Sequence, residues 1–574
     1  MDLKTFLENF DAIAEAPGGI PKLRSLILDL AVQGKLVPQN PEDEPASVLL
    51  DKLRFEKDRL IQEGKIKGSK TLPPINVANM PFAPPDGWEW VHLESLVELI
   101  TKGSSPKWQG VNYVNPGSGI LFITSENVRN YVLDVSNPKY VEAKFNEIEP
   151  RSILQKNDLL MNIVGASIGR TAIYELDEIA NINQAVCLIR LINSLPLLNH
   201  AYMLLFFNST ICINFMLDKQ VDNARANLSM GNIAKFPIPL PPLAEQKRIV
   251  EKVDELMGLC DRLSSAKQMR DNLRQKLRES AIASLMNAET DEKLDAVWVI
   301  VRDNWHNLSQ HPQDVSDLRQ AVLQLAVRGK LVPQNFEDEP ASVLLEKVEA
   351  EKRHLIKEKK LKERWNPVAV SPDAIPYKIP MNWKWIRILD GVERVTVGHV
   401  GSMQNEYLPE GLPFLRSQNV RENRFDPLGL KFISQEFHDK LAKSKLSPRD
   451  VVVVRSGNVG TTCVIPEELE DANCSDLVIV KRPMAIDSGF LSYYMNSAAK
   501  SHVKEGTVGI ALTHFNTESV ASLPIPLPPL AEQKRIVAKV DELMKLCDQL
   551  EASLRQSQQW AESLAASAIS HLTI

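Results

Sequence analysis

Two long stretches of the chain carry apolar residues every three or four positions, and between such stretches the apolar residues gather into short runs. After residue 530, Ile536, Val540, Leu543, Cys547, Leu550 and Leu554 alternate by four and three, and Ala561, Leu564 and Ala568 continue the stripe. That spacing predicts a coiled-coil seam of about four heptads. An earlier stretch starts the same way with Ile249, Val253, Leu256, Cys260 and Leu263, then puts Lys267 and Arg270 on the seam and resumes at Leu273 and Leu277. Nearer the N-terminus, Leu3, Phe6, Leu7 and Phe10 have helical spacing up to the break at Pro17-Gly-Gly19. A helix is predicted from Pro21 to about Gln33, ended by Gly34, because proline suits the first turn and glycine the residue past the last. Another is expected after Glu42-Asp-Glu-Pro, where acids favour a helix N-terminus, running to about Lys70.

The pattern is written twice. Pro237-Ile-Pro-Leu-Pro-Pro-Leu-Ala-Glu-Gln-Lys-Arg-Ile-Val250 recurs without change 287 positions on, from Pro524. Gly34-Lys-Leu-Val-Pro-Gln-Asn40 and Glu42-Asp-Glu-Pro-Ala-Ser-Val-Leu-Leu50 recur 295 positions on, from Gly329 and Glu337. A tandem duplication predicts two equivalent units about a pseudo-two-fold, with the two long helices packed antiparallel. Each repeated strap is stiffened by prolines and leads straight into a long helix.

Between the markers lie two bodies that match only in outline. Trp88-Glu-Trp90 answers Trp383-Lys-Trp385, and the apolar run Leu121-Phe-Ile123 answers Pro413-Phe-Leu415. A polar turn follows each, Thr124-Ser-Glu-Asn-Val-Arg129 and Arg416-Ser-Gln-Asn-Val-Arg421. Strands at Asp158-Leu-Leu-Met-Asn-Ile-Val164 and Asp450-Val-Val-Val-Val454 end in glycine turns. Short β-runs with a few helices, such as residues 201–208, indicate an α/β or α+β body.

Composition narrows the class. The 574 residues exceed one core, and 44% hydrophobic with 24% charged residues is ordinary for a globular protein. Six scattered cysteines form neither a disulfide pattern nor a zinc pattern and point to reduced cytoplasmic thiols. No signal-like N-terminus and no bilayer-length apolar run is present, so no membrane partner is expected. Catalytic motifs are missing. Gly165-Ala-Ser-Ile-Gly-Arg-Thr171 is one residue short of a phosphate-binding loop and lacks its lysine. Asn137-Pro-Lys-Tyr140 only grazes an amino-methyltransferase motif, and ten unclustered histidines give no metal site. Glu142-Ala-Lys144 has the Glu-x-Lys ending of many metal-dependent nucleases but is unrepeated. A nuclease using Glu142 and Lys144 stays as one rival reading, and a coiled-coil scaffold whose two bodies bind proteins as another.

A net charge of −6 does not advertise a nucleic-acid binder, but charge is local. Between Arg416 and Arg455 nine basic residues face five acids. Arg, Ser, Gln and Asn gathered in one turn are side chains that hydrogen-bond base edges and phosphates. The candidate DNA-facing residues are Lys102, Ser125, Asn127, Arg129 and Arg170 in the first body, and Arg416, Ser417, Asn419, Arg421 and Arg455 in the second. Trp88, Trp90, Trp383 and Trp385 read as core anchors.

The duplicated Pro-Leu-Pro-Pro-Leu-Ala-Glu-Gln-Lys-Arg-Ile-Val straps, each closing a variable body and opening a long helix, resemble those of the specificity subunit of type I restriction-modification systems. The resemblance implies a non-catalytic chain of class α+β, with two α/β target recognition domains separated by long antiparallel coiled-coil helices. The expected division is an N-terminal helical region (1–80), recognition domain 1 (81–243), a central helical spacer (244–379), recognition domain 2 (380–530) and a C-terminal helix (531–574). It further implies double-stranded DNA as ligand, read as a bipartite asymmetric target, with two modification (methyltransferase) subunits and restriction (endonuclease/translocase) subunits as partners. S-adenosylmethionine, ATP and Mg would sit on those partners and not on this chain. Glu245, Lys247 and Arg248, with their copies Glu532, Lys534 and Arg535, are the expected docking residues. A helix over residues 244–287 would span roughly 65 Å at 1.5 Å per residue, ample to hold two readers about one DNA turn, roughly 34 Å, apart.

Overall fold

The computed structural model describes residues 10–68, 72–192, 196–218, 228–288, 290–361, 368–499 and 516–573. Leu3, Phe6 and Leu7, and the side chain of Ala568, lie outside the described residues. The chain forms two compact units: unit 1 is Met1–Arg270 with Gln558–Ile574, and unit 2 is Asp271–Ser557.

Unit 1 begins with helices Phe10–Glu15, Gly19–Val32 and Ala46–Gln62. The last stops eight residues short of the expected end near Lys70, where Gly64 takes a left-handed conformation (φ 67°). Glu89–His92 then pairs antiparallel with the strap strand Pro237–Leu240, in a register that sets Trp90 opposite Pro239 and His92 opposite Pro237. Prolines are tolerated there because the ladder has only two strands and each proline can turn its missing donor outward.

The body closed by that ladder holds two four-stranded sheets. One runs Val97–Lys102, Val186–Leu191, Leu159–Asn162, Thr171–Ile173, all antiparallel. The other runs Tyr113–Val114, Lys139–Val141, Ile120–Ile123, Ala180–Ile182, with the last pair parallel. The run Val186-Cys-Leu-Ile-Arg-Leu191 shows why its apolar content is so high. Val186 and Leu188 enter the core with Leu121 and Ile123, while Cys187, Ile189 and Leu191 enter the core with Tyr202, Phe206 and Ile238. Alternate side chains of a strand point to opposite faces, so a strand covered on both sides is apolar throughout.

Unit 2 repeats the arrangement. It begins with helices Asp291–Leu308, Val315–Val327 and Ala341–Lys357, and Lys384–Arg387 pairs with Pro524–Leu527. Its sheets run Val392–Val397, Leu477–Pro483, Val451–Val454, Thr462–Val464 and Lys431–Ile433, Leu412–Leu415, Ala472–Cys474, Lys445–Leu446. The four consecutive valines again split, Val451 and Val453 to one core and Val452 and Val454 to the other. The fold is α+β, as expected. No single helix among the described residues is long and apolar enough to cross a membrane.

The long helices span Leu243–Asn287 (45 residues) and Leu530–Thr573 (44 residues). Ile249, Val253, Leu256, Cys260 and their copies Ile536, Val540, Leu543, Cys547 are buried, as the stripe predicts. Beyond them the stripe differs from the expectation. Leu273, Leu277 and Leu564 stand 57%, 50% and 64% exposed. Leu263, Lys267, Leu550, Leu554 and Ala561 are covered as expected, but the covered face then runs through 271, 274 and 278 in the first helix and 558 and 565 in the second. Two steps of four in succession break the heptad, a local insertion that turns the covered face around the helix. Both helices make this shift at the same place in the duplication.

Candidate nucleic-acid interface and the frame that carries it

The repeated segments meet each other. Trp88 donates its indole N–H to Glu245 Oε2 at 2.9 Å, and Gln39 Nε2 donates to Glu245 Oε1 at 3.2 Å. Arg248 pairs with Asp43 at 2.6 Å. In unit 2, Trp383 and Gln334 bond Glu532 at 3.0 and 2.6 Å, and Arg535 pairs with Asp338 at 2.7 Å. The neighbouring glutamines are fixed as well: Gln246 accepts from Asn199 N and donates to Pro241 O, and Gln533 accepts from Asp487 N and donates to Pro528 O. Gly34 and Gly329, at φ 68° and 70°, leave room for the tryptophan rings, since a Cβ there would sit 3.0 and 3.1 Å from Trp88 and Trp383.

The docking role expected of Glu245 and Glu532 is therefore corrected. Both glutamates are buried, and the two arginines spend their guanidinium groups on acids of their own unit. Burial pushes both glutamate carboxyls above their ordinary range, with the tryptophan and glutamine donors acting against the shift. Only Lys247 and Lys534 of the expected set are exposed.

The polar turns are built alike. Asn127 Oδ1 accepts from Thr124 N at 2.9 Å, and its Nδ2 donates to Asp134 O. Asn419 Oδ1 accepts from Arg416 N at 3.0 Å, and its Nδ2 donates to Asp426 O and Leu428 O. Both amides are buried and spent inside the turn. The DNA contact expected of Asn127 and Asn419 is corrected accordingly: they tie the loop that presents their neighbours.

Those neighbours lie outward. Arg129 is exposed, its Nε 3.9 Å from Asp134. Ser125 and Arg170 are half-buried, and their carbonyls accept from Asn162 Nδ2 and Asn162 N. Lys102 ends its strand exposed, and Ser417 is exposed. Arg416 reaches Gly429 O at 2.8 Å and lies over the Tyr407 ring. Arg421 bonds Asp426 at 3.1 Å, and Arg455 pairs with Asp476.

The sequence gives no reason to single out Arg424. It sits directly opposite Arg421 in the two-rung hairpin Val420–Arg421 with Arg424–Phe425, and both are exposed. Like charges facing across a ladder repel, and an anion between them would reverse the sign. Only strand register, with Asn423 in a left-handed turn (φ 58°), brings the two together.

Each body holds a buried ion pair at the start of a central strand, just before Leu159–Asn162 and just before Val451–Val454. Asp158 takes both oxygens to Arg190 at 2.7 Å, and Asp450 pairs with Lys481 while accepting from Ser447 N and Arg482 N. Glu142 accepts from Asn112 N at 2.9 Å and pairs with Lys144 at 2.9 Å. Its carboxyl is held below the ordinary range, chiefly by the Asn112 amide. Among the described residues no group of three His, Cys, Asp or Glu side chains could hold a metal ion.

Comparison with known proteins fits this duplicated geometry. The profile of the type I restriction modification DNA specificity domain matches residues 85–269 and 392–557. The EcoAI and EcoEI type I restriction enzyme specificity subunits of Escherichia coli are each 30% identical, over 570 and 580 residues. Both alignments cover 95% of this chain, and 92% and 93% of the relatives. A solved chain described under complex assembly and conformational transition of the type I R-M system aligns over 86% of this chain at 16% identity, with a TM-score of 0.49. Two matched domains on one repeated frame, in a chain collinear with full-length relatives, make this protein a member of the type I restriction-modification specificity subunits, the non-catalytic subunits of those systems.

Proposed function

We propose that each body reads one half of a split, asymmetric sequence in double-stranded DNA, and that the two long helices set the distance between the halves. The observation that carries this is the contrast between frame and filling. Gln39, Asp43, Trp88, Glu245, Gln246 and Arg248 recur without change as Gln334, Asp338, Trp383, Glu532, Gln533 and Arg535, while the turns they hold up differ. A constant mount with two unlike readers calls for two unlike half-sites.

In this reading Lys102, Ser125, Arg129 and Arg170, with Arg416, Ser417, Arg421 and Arg455, line the DNA side of the bodies, and Arg424 joins them. The guanidinium groups supply phosphate contact and, where bidentate, guanine readout. Two modification subunits and the restriction subunits are the partners, carrying S-adenosylmethionine, ATP and Mg. Lys247 and Lys534 are the strap residues left for docking them.

The test is methylation mapping of cells carrying the complete system. Replacing residues 93–236 by the corresponding body of a relative should change one half of the methylated motif and leave the other. A change in both halves would overturn the assignment of one body to one half-site.

A further inference from the structure

The last turns of the two long helices are not interchangeable, although the frames that receive them are. Equivalent ion pairs establish the correspondence. Arg24 bonds Asp261 at 2.5 Å in unit 1, and Arg319 bonds Asp548 at 2.7 Å in unit 2. These partners are displaced by the same 295 and 287 positions as the repeated markers. By those displacements Arg278 and Ala565 occupy equivalent places on the two helices.

In unit 2, Arg278 is buried and spends its whole guanidinium. Nε donates to Asp317 at 2.8 Å, one terminal nitrogen to Leu308 O at 3.0 Å, and the other lies 3.2 Å from Asp314. It thereby closes the C-terminal end of helix Asp291–Leu308 and the start of the helix that follows. In unit 1 the equivalents of Leu308, Asp314 and Asp317 are Ile13, Gly19 and Lys22. Ala565, 2% exposed, belongs there to the apolar cluster that contains Phe10, Ile13, Ala14 and Ala16. Gly19 cannot carry a side chain, because a Cβ would meet Ile13 O at 1.7 Å.

We propose that these two places form an orthogonal pair of sockets, each accepting the tail of only one of the two long helices. The acidic socket of unit 2 takes the arginine-bearing tail. The socket of unit 1, where Ala565 joins the apolar cluster of Phe10, Ile13, Ala14 and Ala16, takes the alanine-bearing tail. Exchange would set a guanidinium among apolar groups in one socket, and in the other would remove the guanidinium that joins the half-exposed Asp317 to Asp314, which keeps its bonds from Gln310 N and His311 N. A buried guanidinium without its partner is strongly unfavourable, which disfavours the exchange in unit 1, and in unit 2 the exchange forfeits the three contacts that Arg278 makes. The kind of partner each socket fits is thus the helix end of the opposite repeat. The same rule rejects a second copy of the chain that offers the wrong end.

The test is a thermal-melting cycle on the full chain. Ala565→Arg should lower the midpoint by about 5 °C or more. Adding Lys22→Asp, which recreates the acid at the place of Asp317, should recover a large part of that loss, while Lys22→Asp alone should gain nothing. In unit 2, Arg278→Asp should fall by a similar amount and Asp317→Arg should restore part of it. If Ala565→Arg abolishes folding, the cycle at 278 and 317 decides alone. Additive effects in that cycle, or an Ala565→Arg chain that melts like the parent, overturn the proposal.

Discussion

Trp88 and Glu245 lie 157 positions apart in sequence and share a buried hydrogen bond of 2.9 Å, and Trp383 and Glu532 repeat it across 149 positions. The carboxylate stands where three repeated segments converge: the Gly-Lys-Leu-Val-Pro-Gln-Asn loop, the tryptophan strand and the strap. Replacing Glu245 by Leu should destabilise unit 1 by about 1–3 kcal/mol, because the Trp88 and Gln39 donors lose their acceptor inside the protein. Glu245→Gln keeps an acceptor and should cost clearly less. Denaturant unfolding that ranks the two variants equally would count against the hydrogen bond as the reason for the residue.

The raised carboxyls of Glu245 and Glu532 fix a pH signature. With the folded group binding its proton more tightly than the unfolded one, folding is favoured by these residues below the ordinary value of 4.5 and loses that gain as pH rises through the folded value. Other carboxyls, such as Asp426, are shifted down and act oppositely, so the comparison must be made against Glu245→Gln/Glu532→Gln. Relative to that variant, the parent chain should gain stability as pH is lowered from 7 toward 4.5. A difference that stays flat over this interval would rule the effect out.

At the start of the strand Leu159–Asn162, Arg190 answers the buried carboxylate of Asp158. Arg190→Met should cost about 3–5 kcal/mol, since it strands a charge, whereas Asp158→Asn/Arg190→Met should cost less than the single change. Equilibrium unfolding of the three chains gives the answer, and a double variant as weak as the single would contradict it.

On the face proposed to meet DNA, Arg421 and Arg424 stand opposite each other on one rung of the hairpin. Arg424→Ala should leave thermal stability unchanged or slightly improved, by removing a like-charge pair. It should weaken DNA binding by the assembled system and flatten the slope of log affinity against log salt by about 1. Asn419→Ala should do the reverse, lowering stability first, because its amide holds three backbone groups of the turn. Binding isotherms at several salt concentrations separate the two.

Much of this organisation is written locally. Identical straps, paired tryptophans and seven-residue stripes are visible in one pass along the chain, and so is the two-reader plan. The inward direction of Glu245 and Arg248 is not, since Ala-Glu-Gln-Lys-Arg at a helix start looks solvated until residues some two hundred positions away are brought to it. Asn127 and Asn419 misled for a related reason, because the atoms that recognise a base also satisfy a tight turn. Leu273, Leu277 and Leu564 continue a heptad on paper, but the covered face follows whichever residues the neighbouring helices reach.

The pairing of His92 with Pro237, and of Arg387 with Pro524, places the way into each body beside the way out. Some 144 residues depart from and return to the two sides of a single rung in the first case and 136 in the second. Because the two ends are pinned side by side by the ladder itself, what hangs between them can change in length while the residues that share the frame's core, such as Ile189, Leu191 and Phe206 with Ile238, are kept. Genetic exchange with breakpoints in the tryptophan strand and the strap can therefore deliver a foreign reader in one event. A lineage can acquire a new address on the genome without reinventing the machinery that acts there.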